Sequence, residues 1–190
     1  MKYHLGLDIS TSCTGWAVLS VDDSSEVVSA RLGHISLKAF PDLITKSHEA
    51  LRSIEAICCD YDLDQIFIEE NLQAFRPGAS SADTLLKLAK INGVITFLCH
   101  QVTGITPRAV NVIKARKALG ITVKRQKLCG VKTKDQVHNW VKSHSLMREY
   151  SWPTKILKSG PRKGKEILHT YAYDMADAFV VALAGPIVPV

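Results

Sequence analysis

The placement of its acids constrains this chain most. Leu5-Gly6-Leu7-Asp8-Ile9-Ser10-Thr11 and Ile66-Phe67-Ile68-Glu69-Glu70 are apolar, strand-like runs interrupted or ended by carboxylates. Near the other end, Tyr173-Asp174-Met175-Ala176-Asp177-Ala178-Phe179 sets two more acids into a helical pattern. A carboxylate at the inner end of a strand is costly to bury unless something cationic meets it. Three such places in one small chain predict a shared cation, most simply Mg²⁺ or Mn²⁺ held by oxygen ligands. Taken singly, each acid has a blander reading. Asp8 could cap a turn, Glu69 could be exposed with Glu70 at a strand end, and Asp174 or Asp177 could answer a helix dipole.

Charge narrows what such a cation would act on. The net charge is +6, but residues 114–165 hold 15 Lys or Arg against only Asp135 and Glu149, while residues 1–113 hold 9 basic against 13 acidic residues. So lopsided a block repels itself unless a polyanion lies nearby, which favours nucleic acid over a merely solvated face. The basic side chains expected on a DNA backbone are Arg76, Lys114, Arg116, Lys117, Lys124, Arg125, Lys127, Lys132, Arg162, Lys163 and Lys165. At 190 residues the chain reads as one domain, 1–190, able to bury a core without disulfides. No apolar run reaches membrane-helix length, and no secretory signal is visible at the N-terminus. Cys13, Cys58, Cys59, Cys99 and Cys129 are odd in number and lack zinc-type pairing. Reduced thiols in an intracellular compartment are expected: the cytoplasm, or an organelle or nucleoid if a transit peptide was removed.

The pattern predicts an α/β chain. Residues 3–9, 14–21 and 26–36 read as a three-strand antiparallel meander, closed at Asp22-Asp23-Ser24-Ser25. A helix follows from Pro41 to about Cys58, then a buried strand over Gln65–Glu69. Ser80 or Ser81 can cap a long helix from Ala82 to about Val102, with Asp83 in its first turn. That helix is apolar on more than one face, so it is either fully enclosed or meets a second copy across a two-fold axis. A strand over Ile105–Val110, a helix over Val112–Leu119 and a Thr133-capped helix to about Ser143 come next. Residues 148–166 read as irregular, either a surface loop or a DNA-backbone clamp with Tyr150 and Trp152 free to stack. In the last helix, Tyr173–Ala184, the i, i+3 spacing puts Asp174 and Asp177 on one face.

The ordered set Gly6-Leu7-Asp8-x-Ser10, Gly15-Trp16-Ala17-Val18, Ile68-Glu69 and Asp174-Met175-Ala176-Asp177-Ala178 resembles the RuvC family of Holliday junction resolvases, in the RNase H-like nuclease superfamily. Ala82–Val94 and Lys132-Thr133-Lys134-Asp135-Gln136-Val137 agree with that family's later helices, so the resemblance spans nearly the whole chain. It implies an RNase H-like fold: a five-stranded mixed central sheet, meander first, flanked by helices. It further implies Asp8, Glu69, Asp174 and Asp177 as ligands of two Mg²⁺ (or Mn²⁺) ions. Such ions, about 3.5–4 Å apart, clamp a phosphodiester during hydrolysis. Lys134 would stand near the scissile phosphate, where it stabilises developing charge. The implied protein is a homodimeric crossover junction endodeoxyribonuclease acting on branched, four-way DNA.

Some residues depart from the family pattern. Where bacterial members carry an aromatic three residues after the catalytic Glu, this chain has Leu72, with Phe75 the nearest aromatic; either Leu72 or Phe75 serves as the junction wedge, or the junction contacts differ. The stretch Ile113–Cys129 is longer than in bacterial members and closer to phage-type ones. Three alternatives stand beside the lead reading: an RNase H-like nuclease for flaps or RNA–DNA hybrids, a non-catalytic nucleic-acid binder, and a fragment of an actin-like or sugar-kinase-type ATPase. Strand-loop-strand likeness alone does not separate these.

Overall fold

A computed structural model describes residues 1–70 and 81–189. Three antiparallel strands open it: β1 (Lys2–Ile9), β2 (Cys13–Val21) and β3 (Val27–Ser36). Helix α1 (Leu43–Asp60) begins at Asp42, whose carboxylate accepts from Thr45 N at 2.9 Å. Strand β4 (Leu63–Glu69) then pairs parallel to β1. Helix α2 (Ala82–Thr103) is capped by Ser81, which accepts from Thr84 N, and ends at Gly104 with φ of 72°. That left-handed conformation is the one glycine adopts without steric cost. Strand β5 (Arg108–Val110) completes a sheet of order β3-β2-β1-β4-β5. Only β2 runs against the rest, so the mixed five-stranded sheet expected from the sequence is present.

Helices α3 (Val112–Ala118), α4 (Gln126–Cys129) and α5 (Thr133–Ser143) follow, then the hairpin β6 (Thr154–Ile156)–β7 (Glu166–Leu168) and helix α6 (Tyr171–Ala184). The period of two along the strands divides the core. Leu5 and Leu7 of β1 and Ile66 and Ile68 of β4 pack with Ile54 of α1 and Ile95 of α2. Phe67 of β4 and Ala17 and Leu19 of β2 pack on the other face with Phe179 and Ala182 of α6. By the same alternation, Gly6, Asp8 and Glu69 fall on the α6 side.

Three expectations need correction. Residues 148–166 are not simply irregular: they contain the β6–β7 hairpin, whose connection carries Gly160 and Gly164 at φ of 80° and 83°. Tyr150 and Trp152 are not free to stack on DNA. Tyr150 Oη donates to Leu32 O at 3.2 Å, and Trp152 packs edge-on against Tyr150 and His138. Helix α2 is not enclosed: its inner side meets α1 and the sheet, while Leu86 and Phe97 are 62% and 60% exposed. A smaller difference is that Lys132, not Thr133, occupies the cap position of α5.

Candidate active site

Two strand ends and one helix bring the acids together. β1 and β4 pair in register through Leu7 and Ile68, so Asp8 and Glu69 are the next residues on neighbouring strands. Helix α6 lies on that face at unusually close range because glycines make room for it. A Cβ on Gly6 would stand 2.4 Å from Ala178 O, and one on Gly15, the β2 partner of Asp8, only 2.1 Å from Asp174 O. Any larger side chain at either place would push the helix, and its acids, away from the sheet.

Electrostatics records the convergence. The Asp8 carboxyl is held well above its ordinary range, first by burial and then by Glu69, Asp177 and Asp174; it shares a hydrogen bond with Glu69. Glu69 is pushed up to about 7 by burial and by Asp177, against an opposing pull from Arg116. Burial also raises Asp174 and Asp177. Four acids raised by burial, three of them further by their acidic neighbours, form a site that favours added positive charge. Among the described residues, no group of three or more His, Cys, Asp or Glu is already arranged to hold a metal ion. The other two carboxylates, Asp177 and Asp174, have protein partners outside the cluster of acids. Asp177 Oδ1 accepts from Arg116 Nη2 at 3.1 Å, with both side chains about one-fifth exposed. Asp174 is hydrogen-bonded to Cys13, whose thiol is pushed far up by burial and by that carboxylate.

Lys134, in the first turn of α5, sits 4.4 Å over the Tyr173 ring and lowers the Asp174 pKa. Tyr173 Oη donates to Asp135 Oδ1 at 2.6 Å, which fixes the ring under the ammonium. Glu70 lies at the rim, accepting from Asn111 Nδ2 at 2.8 Å. Lys46 of α1 donates to Thr11 O and ties down the loop after Asp8.

No protein-family model matches the chain. Two relatives match in sequence. The crossover junction endodeoxyribonuclease RuvC of Erythrobacter litoralis is 30% identical over 104 residues, covering 52% of this chain and 57% of the relative. The protein of the same description from Sphingopyxis alaskensis is 30% identical over 117 residues, 56% of this chain and 67% of the relative. This chain belongs to the RuvC family. In fold, Thermus thermophilus RuvC in complex with Holliday junction substrate matches with a TM-score of 0.61 at 16% identity, covering 96% of this chain and 91% of that one.

As a RuvC-family chain, it brings Asp8, Glu69, Asp174, Asp177 and Lys134 into one neighbourhood. Among the basic residues, Arg116 departs from expectation: it turns inward onto Asp177 rather than out toward a DNA backbone. Lys114, Lys117, Lys124, Arg125, Lys127, Lys132, Arg162, Lys163 and Lys165 are exposed. Leu72, Phe75 and Arg76 lie outside the described residues. Sequence reasoning missed Gly15 and Cys13 as parts of the site. Gly15 could have been found, because it faces Asp8 across the first hairpin; Cys13 offered no signal beyond proximity.

Proposed function

We propose that this chain is a structure-selective DNA endonuclease that resolves four-way junctions by metal-dependent phosphodiester hydrolysis. The observation that carries the reading is the convergence of four carboxylates from β1, β4 and α6, each with raised proton affinity. The donor set fits the expected cations: it is all oxygen, anionic and half-buried, which suits Mg²⁺ or Mn²⁺, at two per site. Asp8, Glu69, Asp174 and Asp177 would hold them, with Asp177 turning from Arg116 and Asp174 from Cys13. Bound divalent ions supply activation of water and neutralisation of the leaving oxygen. The chain's own part is to bury the acids, to hold Lys134 beside Asp174 for developing phosphate charge, and to grip DNA with its exposed cations.

The basic tip of the β6–β7 hairpin, with Arg162, Lys163 and Lys165, is the proposed backbone clamp. Its base is fastened by His169 N donating to Pro153 O at 2.8 Å and by Tyr150 on β3. The exposed α2 stripe Leu86, Ala89, Gly93 and Phe97 is the proposed homodimer face. Among the described residues, a Cβ on Gly93 would meet nothing within 4 Å, so the middle of that stripe is open to close approach by a second copy. Two copies would place two sites on one junction, as paired nicking of opposing strands requires. The reading takes residues 1–190 as one catalytic unit in an intracellular, reducing setting, which its free cysteines suit. The test is a panel of four-way junction, flap, RNA–DNA hybrid and linear duplex in Mg²⁺. Paired symmetric nicks confined to the junction are expected; equal cutting of flap or hybrid would reassign the substrate.

A further inference from the structure

A pocket of about 320 Å³ opens beside the acids, on the side away from β4. One part of its lining is aromatic. Tyr171, at the start of α6, has His34 of β3 stacked on it at 3.6 Å and 7°, and His169 at 3.7 Å and 31°. Two rings cannot share one face at such distances, so the imidazoles cover opposite faces of the phenol and the three form one column. The same pocket is lined by Ser36 at the end of β3 and Lys38 just beyond it, and by Asp174 and Lys134 of the site above. Among the described residues Lys38 forms no ion pair. Both histidines are held below their ordinary pKa by burial, which favours neutral imidazoles in the column.

Flat rings, a hydroxyl and cations around a space of this size suit a ligand that is itself part flat ring and part anion. We propose that this pocket receives one nucleotide of the cleaved strand, next to the scissile phosphate. Its base lies against the His34–Tyr171–His169 column, and its phosphate falls between Lys38 and Lys134. The inference rests on the nuclease reading and adds to it a place where a base is held by stacking and its identity is felt through the Ser36 hydroxyl. None of these column residues touches the reacting atoms; they position the strand.

The test uses a four-way junction carrying 2-aminopurine in turn at each position flanking the crossover, bound to full-length Asp8→Asn protein so that fluorescence is read without cleavage. One position is expected to change its fluorescence on binding. Adding His34→Ala should remove that change and weaken binding by about 5- to 150-fold, the range for losing one stacked base. Adding His34→Phe, which keeps a flat ring, should restore most of it. Ser36→Ala should alter which base is preferred at the nick when wild-type and variant cut sites are sequenced on a randomised junction. A fluorescence response independent of His34 at every position, in protein with an unchanged melting curve, overturns the proposal. A wild type that binds with the His34-dependent signal yet cuts no junction would instead sink the nuclease reading and leave the nucleotide pocket standing.

Discussion

Replacing Glu69 with Gln should stabilise the protein, and more so in alkali. Glu69 titrates at about 7 in the fold against an ordinary 4.5. The folded state therefore binds this proton more tightly than the unfolded state does, and folding loses stability as pH rises from 4.5 to 7. At 1.36 kcal/mol per pH unit, that gap withholds about 3 kcal/mol above pH 7 and under about 1 kcal/mol at pH 5. Glutamine cannot ionise, and its carbonyl can still accept from a protonated Asp8, so the variant escapes the penalty. The advantage of Glu69→Gln over wild type should be about 2 kcal/mol larger at pH 8 than at pH 5. For a chain of this length that is roughly 4–8 °C in melting temperature. Because Asp8 and Glu69 share a proton, the transition belongs to the pair and will be broader than one simple titration. The assay is thermal unfolding by circular dichroism in EDTA across pH 5–8.5. The histidines titrate in both proteins, so their contributions cancel in the difference. A stability difference that stays flat with pH, or a variant less stable at pH 8, would refute the claim that these acids strain the fold. Millimolar Mg²⁺ should close much of the gap by stabilising wild type alone.

Other consequences can be checked independently. Gly15→Ala places a methyl 2.1 Å from Asp174 O, so α6 must shift; a loss of roughly 1–3 kcal/mol in denaturant unfolding is expected, with cleavage falling further than stability. Arg116→Gln removes the cation facing Asp177 and Glu69, so without metal the protein should lose about 1–3 kcal/mol at pH 8, with less loss at pH 5. Phe97→Asp, at a 60% exposed position, should leave folding intact and bring the mass by light scattering down to about 21 kDa; an already monomeric wild type would contradict the dimer face. Changing Arg162, Lys163 and Lys165 together to Gln should lower the slope of log affinity against log salt by about 2–3, and an unchanged slope would place the hairpin away from DNA.

Much of this fold is legible in the chain because its strands are short β-rich runs bounded by turns and helices α1, α2 and α3 have capping residues. Leu5 and Leu7 against Gly6 and Asp8 announce a two-sided strand, and Ser81 with Asp83 announces the start of α2. The four acids are legible for a related reason, since each interrupts or ends an apolar pattern and together they exceed what turn caps and helix dipoles explain. The β6–β7 hairpin was hidden because its strands have three residues each, too few for alternation to show. Arg116 looked like one more cation in a basic block; its partner lies 61 residues away and only the fold brings them together. Tyr150 and Trp152 read as exposed aromatics in a polar stretch, whereas packing on His138 and a bond to Leu32 make them the hairpin's fastening. The outer face of α2 shows the opposite limit, since apolar composition does not distinguish a face covered by the same chain from one left open.

Carboxylates from β1, β4 and α6 are proposed to act as one receptor for divalent cations. Mn²⁺ titration followed by electron paramagnetic resonance tests it without reliance on activity. Wild type should take up as many as two ions per chain, and Asp8→Asn, Glu69→Gln, Asp174→Asn and Asp177→Asn should each weaken or abolish uptake. Undiminished Mn²⁺ binding in two or more of these folded variants would contradict it.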